Sequence, residues 1–158
     1  MIGAVPGAYH FFIAGDAPAE QARAWYQAAG QQVAGGTLRP ALDIENNSKT
    51  PLSDSEAKLW ATNARSLIAA AEALFARELV VYINPKTANE MRSYLDAGFW
   101  ATRLLWLAEY TSSAPKVPAP WTSCAAHQFV GDVSMPGATC PMDRNRIYSQ
   151  SAFDLLKT

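Results

Sequence analysis

Short apolar segments alternate with helix-like segments along the first two thirds of the chain, and this alternation limits the fold more than any other feature. Segment 4–13 is apolar and aromatic without polar periodicity, which predicts a strand buried on both faces. Segments 40–45 and 79–83 predict two further strands. Because a parallel strand pair needs a long connection, and a helix is the usual one, the sequence predicts an α/β layer or barrel with right-handed crossovers.

Each connection between these strands carries a signal for the start of a helix. The first has an aspartate before an alanine- and proline-containing turn, and the other two have a serine or threonine three residues before a glutamate, the spacing of a capping box. The predicted helices begin at Asp16, at Ser53 with Glu56 and at Thr87 with Glu90, and they end at Gly30, about Arg77 and near Gly98.

The last third of the chain has a different pattern. Its strand-like segments are 104–110, 123–130 and 144–149, and the last two are separated only by loop-like proline, glycine and serine. We therefore expect the final strands to lack helices between them. A length of 158 residues with 49% hydrophobic residues suits a single domain, 1–158, with one buried core.

Charge and composition argue against several classes of partner. Lysine and arginine number 13 against 14 aspartates and glutamates, so no broad positive field exists to bind nucleic acid or anionic lipid. No apolar run is long enough to span a bilayer, and the first residues lack the basic stretch and cleavage site of a secretory signal. We expect no nucleic-acid partner, no membrane partner and no signal peptide in this chain.

The two cysteines predict no metal centre. Cys124 and Cys140 fit neither a C-x-x-C redox pair nor a four-ligand zinc site. They are either free thiols or a bridge between neighbouring strands. No cofactor and no metal are predicted.

An acidic pair lies at the end of the second predicted strand. In 42–45 the side chains alternate, so Leu42 and Ile44 face one side while Asp43 and Glu45 share the other. Two carboxylates this close repel each other, which raises the proton affinity of one. The carboxyl ends of parallel strands carry the active site in a barrel, and a protonated acid beside an ionised one is what glycoside hydrolysis needs.

Two other interpretations of the acidic pair remain open on spacing alone. The pair could be a capped or salt-bridged strand end with a structural role. It could also bind a divalent cation together with Asn46, although further ligands at a defined spacing are not evident.

Six short motifs, taken in order, resemble the strand motifs of family 25 glycoside hydrolases over almost the whole chain. The specificity of the resemblance lies in the ordered set. The motifs are Gly7-Ala8-Tyr9-His10-Phe11-Phe12, Leu42-Asp43-Ile44-Glu45, Val81-Tyr82-Ile83, Leu105-Trp106-Leu107-Ala108-Glu109-Tyr110, Trp121 with His127-Gln128-Phe129, and Met142-Asp143-Arg144-Asn145.

The resemblance implies a muramidase that cleaves the β-1,4 bond between N-acetylmuramic acid and N-acetylglucosamine with retention. Glu45 would be the general acid/base and Asp43 its carboxylate partner. Whether Asp43 attacks the sugar or steers the acetamido group of the substrate stays open. The implied partner is bacterial peptidoglycan. The protein would act at the cell wall, either in the manner of a phage lysin or after export by another route.

The resemblance also implies a fold, an incomplete (β/α) TIM-type barrel with helix-poor C-terminal strands. Complete members begin with two more strand–helix units, the first carrying another aspartate of the catalytic centre. Without them we expect about six strands and two open sheet edges, through which copies of the chain could associate. The alternative function is a non-catalytic glycan-binding or structural oligomer derived from the same barrel.

Several positions match residues that lie at or near the glycan cleft in this family. They are Tyr9, Tyr82, Trp106, Tyr110, Gln128 and Asp143. Aromatic faces there would cover sugar rings, although an aromatic residue in a strand, taken alone, is more often a core residue. His127 stands where the family commonly has tryptophan, which would weaken one carbohydrate contact, and His10 is expected to be a core residue.

Overall fold

The computed structural model describes residues 5–33 and 37–157, and six strands form one sheet in chain order. The first five strands run parallel, and the sixth is antiparallel to the fifth. The predicted α/β architecture of an incomplete (β/α) TIM-type barrel is therefore confirmed. The strands are β1 (Tyr9–Phe11), β2 (Ala41–Ile44), β3 (Val80–Ile83), β4 (Leu104–Ala108), β5 (Ala126–Val133) and β6 (Met142–Ile147).

Helices connect the first four strands, and loops connect the last three, as the sequence predicts. A C-terminal helix, which the sequence analysis did not predict, follows β6. The helices are α1 (Pro18–Ala29), α2 (Asp54–Phe75), α3 (Pro85–Met91), a short 3-10 turn (Arg92–Tyr94), α4 (Ala97–Trp100) and α5 (Gln150–Lys157).

The capping box predicted for the longest helix is present. The Ser53 hydroxyl accepts a hydrogen bond from the backbone N–H of Glu56, and the Glu56 carboxylate accepts one from the backbone N–H of Ser53. The helix ends at Phe75, where Ala76 adopts a left-handed conformation with φ of 51°. The predicted end near Arg77 is therefore close to the observed one.

The predicted start of the first helix is wrong. Ala17 is the N-cap of α1 and makes no capping hydrogen bond with its side chain, and Pro18 begins the helix. Proline at the first helical position has a fixed φ and lacks an N–H that would need a partner, so it can start the helix without an acidic cap. The backbone carbonyl of Asp16 accepts from the Gln21 side chain at 3.1 Å, and its N–H donates to the Ile13 carbonyl at 3.2 Å.

The predicted capping box of the third helix is also wrong. Asn84 is the N-cap of α3, and its side-chain oxygen accepts from the backbone N–H of Thr87 at 2.8 Å. Thr87 and Glu90 instead bind the loop after β2, where Asn46 donates to both side chains. A serine or threonine three residues before a glutamate has other uses, and Pro85 marks the true start more strongly.

The main core lies between the outer face of the sheet and the helices. Alternate strand residues point outward, and Leu42, Val81 and Leu105, which are neighbours in the sheet, are almost completely buried. They belong to the same cluster as Leu67 and Ile68 of α2. This packing fixes which residues of the same strands face the inner side.

The first strand is more exposed than predicted. Tyr9 is 70% exposed and Phe11 is 43% exposed, although the sequence predicts burial on both faces. In the part of the chain that the structure describes, β1 pairs only with β2 and so forms one edge of the sheet. Residue 4 of the predicted segment lies outside the described residues.

Two further sequence expectations concern membrane spans and the cysteines. Among the helices of residues 5–33 and 37–157, none has the length and apolar character that crossing a membrane requires. Cys124 and Cys140 are both free thiols, so the bridge that the sequence left open is not formed.

Candidate active site

The acidic pair lies on the inner side of the sheet, at the carboxyl end of β2. Because Leu42 and Ile44 are fully buried towards the helices, the strand alternation turns Asp43 and Glu45 to the opposite side. Both line an open cleft with a volume of about 990 Å³. The structure therefore brings the two predicted acids together in one cleft.

The two carboxyl groups differ in their surroundings. Burial raises the pKa of Asp43 to about 7, and the negative charge of Glu45 adds to the effect. Asp43 Oδ1 is buried and has no hydrogen-bond partner among the described residues. The pair therefore retains a proton close to neutral pH, and one of its buried oxygens is available to a ligand.

Glu45 has a hydrogen-bond donor from the next strand connection. Asn84 Nδ2 donates to Glu45 Oε1 at 3.2 Å, while the other end of the same amide caps α3. Asn84 follows β3 directly, so it lies at the same edge of the sheet as Glu45. The sequence analysis did not identify it, although a polar residue directly after a barrel strand and before a helix is a usable signal.

A chain of hydrogen bonds crosses the floor of the cleft from β3 to β6. The Tyr82 hydroxyl donates to Gln128 Oε1 at 2.8 Å, and Gln128 Nε2 donates to Asp143 Oδ2 at 3.0 Å. Burial, with the charges of Glu45 and Asp43, raises the pKa of Tyr82, so its hydroxyl stays protonated and remains a donor.

Aromatic side chains surround the acids at different depths. Trp106 packs edge-to-face on Tyr82 with ring centroids 5.2 Å apart, and its indole N–H donates to Asn145 at 2.7 Å. Tyr9 and Tyr110 are 70% and 69% exposed at the rim of the cleft. The half-buried rings of Tyr82 and Trp106 form the floor, and the exposed rings offer flat faces of the kind that cover sugar rings.

All the residues predicted for the site line this one cleft. The structure also adds residues to it that the sequence analysis did not select. The predicted residues are Asp43, Glu45, Tyr9, Tyr82, Trp106, Tyr110, Gln128 and Asp143, and those added include Asn47, Asn84, Glu109, Met142 and Asn145.

Gly131 leaves room for two of the predicted residues, Tyr110 and Asp143, to lie close to its backbone. A Cβ placed on Gly131 would lie 2.7 Å from the Tyr110 hydroxyl and 3.0 Å from Asp143 Oδ1. The absence of a side chain at this position is therefore necessary for the present arrangement of the tyrosine and the carboxylate. An isolated glycine within a strand segment is the sequence signal for such a close approach.

Neither histidine faces the cleft. His127 is fully buried, with Nε2 donating to the Glu109 carbonyl at 2.7 Å and Nδ1 bonded to the Tyr148 hydroxyl at 2.9 Å. The expectation that His127 weakens a carbohydrate contact is therefore wrong, because strand alternation turns it away from Gln128. His10 stacks on Trp25, as expected for a core histidine.

The divalent-cation interpretation gains no support from the arrangement. Asn46 Oδ1 accepts from Ser48, and its amide nitrogen donates to Thr50 and Glu90. Within the described parts of the chain, no group of three or more histidine, cysteine, aspartate or glutamate side chains is placed to hold a metal ion.

Solved structures share this fold. The bacterial lysozyme of Streptomyces coelicolor is 25% identical with a TM-score of 0.74, over 94% of this chain and 70% of that one. A muramidase of Acremonium alcalophilum is 26% identical with a TM-score of 0.71, over 96% of this chain and 72% of that one. The Clostridium perfringens spore cortex lytic enzyme SleM is 24% identical with a TM-score of 0.67, and shares the fold over 88% of this chain.

The matches differ in how much of the relative they include. This chain spans 48% of the length of SleM, about half. No curated protein sequence matches the chain. The family model described as Glycosyl hydrolases family 25 matches residues 2–138, which is most of the chain. With the fold and the position of the acidic pair, this match shows that the chain belongs to glycosyl hydrolase family 25.

Proposed function

We propose that the protein is a muramidase that hydrolyses the β-1,4 bond between N-acetylmuramic acid and N-acetylglucosamine in bacterial peptidoglycan. The observation that carries the proposal is the acidic pair: Asp43 and Glu45 share the inner side of β2, and burial holds a proton on the pair near neutral pH. Retaining glycosidases need one proton donor and one ionised carboxylate beside the scissile bond.

In the proposed reaction Glu45 acts as the general acid and then as the general base. It protonates the glycosidic oxygen as the bond to the anomeric carbon breaks, and it later removes a proton from the water that attacks the same carbon. Asp43 supplies negative charge beside the developing oxocarbenium ion. It does so as the nucleophile or by orienting the acetamido group of the substrate, and both routes give retention.

The protonation of the pair is compatible with these roles. Burial favours the protonated form of Asp43 in the unliganded protein. A sugar N–H donated to the unpartnered Asp43 Oδ1 would reverse this preference, because a hydrogen bond to a carboxylate favours its ionised form. The proton would then pass to Glu45, where the leaving oxygen needs it.

The remaining cleft residues support binding of a glycan chain. The exposed rings of Tyr9 and Tyr110 lie on opposite sides of the sheet floor, on β1 and after β4. Asp143, exposed on β6 and held by the Gln128 amide, offers its carboxylate to sugar hydroxyls. An open groove with aromatic sides suits a polymer better than a small molecule. We propose that the site of action is the bacterial cell wall.

A second candidate is a non-catalytic protein that binds cell-wall glycan. The favouring observation is the open side of the cleft at β1, where Tyr9 and Phe11 are exposed. Water that enters there would weaken the electrostatic interactions on which catalysis depends, whereas stacking of sugars on aromatic rings would persist.

Product analysis separates these functions. Purified peptidoglycan is incubated with the protein, and the soluble fragments are reduced with borohydride and identified by mass spectrometry. A muramidase gives fragments that end in reduced N-acetylmuramic acid. Fragments that end in reduced N-acetylglucosamine would contradict the proposed bond, and co-sedimentation with peptidoglycan without any new reducing ends would establish the binding protein instead.

A further inference from the structure

The side-chain amide of Asn84 makes two contacts, and these contacts serve different parts of the fold. Its oxygen accepts from the Thr87 backbone N–H at 2.8 Å and so caps α3. Its nitrogen donates to Glu45 Oε1 at 3.2 Å. The cap fixes the plane of the amide, because rotating the side chain to improve one contact would break the other.

The start of α3, which Asn84 caps, is itself held by several hydrogen bonds. The Thr87 hydroxyl, fully buried, accepts from the backbone N–H of Asn46 at 2.9 Å, and Glu90 accepts from the Asn46 side chain at 2.8 Å. Lys86 donates to the Asn46 carbonyl at 3.0 Å and pairs with Glu90 at 3.2 Å. The first turns of α3 therefore hold the backbone on the C-terminal side of Glu45.

We propose that Asn84 is a positioning residue, which fixes the carboxyl group of Glu45 with Oε1 bound to the amide and directed away from the leaving group. This inference rests on the proposed function, since it concerns the same acid. Oε1 is occupied by the amide, so Oε2 is the oxygen that exchanges a proton with substrate and water. A carboxylate held by a fixed donor loses little entropy on reaching the transition state.

Two substitutions separate positioning from capping. Asn84→Ser keeps an oxygen that can cap α3, because serine is a good N-cap residue, but it is too short to reach Glu45. Asn84→Asp also keeps the cap and places a carboxylate oxygen where the donor was. Asn89→Asp, at an exposed position of the same helix, is the control for the added charge.

The first test is the steady-state kinetics of these variants on peptidoglycan fragments. Asn84→Ser should lower kcat about tenfold to a hundredfold, with little change in KM and a thermal midpoint near that of the wild type. Asn84→Asp should move the alkaline limb of the pH–rate profile upward by about one unit, because a neighbouring negative charge makes the proton of Glu45 harder to lose. Asn89→Asp should leave the profile unchanged. Wild-type kcat and an unshifted profile in both Asn84 variants would overturn the proposal.

A spectroscopic measurement tests the contact independently of activity. In the wild type, the side-chain amide signals of Asn84, followed by ¹H–¹⁵N NMR, should move with pH as the acidic pair titrates, and Glu45→Gln should remove that movement. Asn84 side-chain amide signals that do not move with pH in the wild type would refute the contact. If the protein releases no sugar ends but the signals still follow the titration, the muramidase proposal fails while the positioning contact stands.

Discussion

Replacing Asp43 with asparagine should make the protein more stable at alkaline pH, although we expect the same change to lower its activity. An unfolded aspartate loses its proton near 3.8, whereas burial raises the pKa of Asp43 in the folded protein to about 7. Between these values the folded state binds more protons than the unfolded state. The free energy of unfolding therefore falls as the pH rises from about 4 to about 7.

The size of the effect follows from the shift. A difference of about 3 pKa units corresponds to at most about 4 kcal/mol, since each unit is about 1.4 kcal/mol. Asp43 is only partly buried, and solvent screening reduces this to roughly 2 kcal/mol. For a protein of this length, that amounts to about 4–8 °C in Tm. Asparagine has nearly the same shape as the protonated acid and never carries the charge. The free energy of unfolding of the variant therefore does not fall in this way as the pH rises.

Thermal melts of the wild type and Asp43→Asn at pH values from 4.5 to 8 give the measurement. The two proteins should melt within a few degrees of each other near the acidic end, and the variant should melt higher at pH 8. Asp16→Asn, at an exposed loop position, is the control and should show no such divergence. A difference in Tm that stays constant across the range, or a variant that is less stable at pH 8, would refute the reasoning.

Other predictions follow from the floor of the cleft and from the sheet edges. Tyr82→Phe leaves the buried Gln128 oxygen without its donor and should lower the free energy of unfolding by about 1–3 kcal/mol, measured by urea titration; unchanged stability would contradict the proposed network. Gly131→Ala should displace Tyr110 or Asp143 and raise KM roughly tenfold with a smaller effect on kcat, and unaltered steady-state kinetics would show that their present positions are unimportant. Because the outer edges of β1 and β6 are unpaired within the described residues, light scattering should report a dimer or larger species, and a monomer at all concentrations would count against association.

Much of the site could be predicted because strand alternation is a local rule. Asp43 and Glu45 are two residues apart, with apolar Leu42 before them and apolar Ile44 between them. This spacing was enough to place both acids on one side of β2, which the structure shows. The serine and glutamate that cap α2 were predictable for the same reason, since a capping box involves only neighbouring residues. The aromatic residues needed the family resemblance, because an aromatic residue in a strand is equally suited to a core.

The features that were missed depend on contacts between distant segments. Thr87 has the sequence context of a cap, but its hydroxyl binds the loop after β2, 41 residues earlier in the chain. The exposure of Tyr9 follows from the position of β1 at an edge of the sheet, which the composition of the segment does not reveal. Gly131 has a role only because Tyr110 and Asp143 converge on it. Local patterns predict helices and strands, whereas these roles arise only from contacts between segments that are distant in the sequence.

The release of muropeptides by Glu45→Gln tests the central claim most directly. The amide keeps the shape of the side chain but cannot give a proton to the leaving oxygen, so the rate should fall about 10²–10⁴-fold. The variant should keep its melting temperature and still bind peptidoglycan, and Glu20→Gln, at an exposed position in α1, should release fragments at the wild-type rate. A Glu45→Gln variant that releases muropeptides as fast as the wild type would contradict the account.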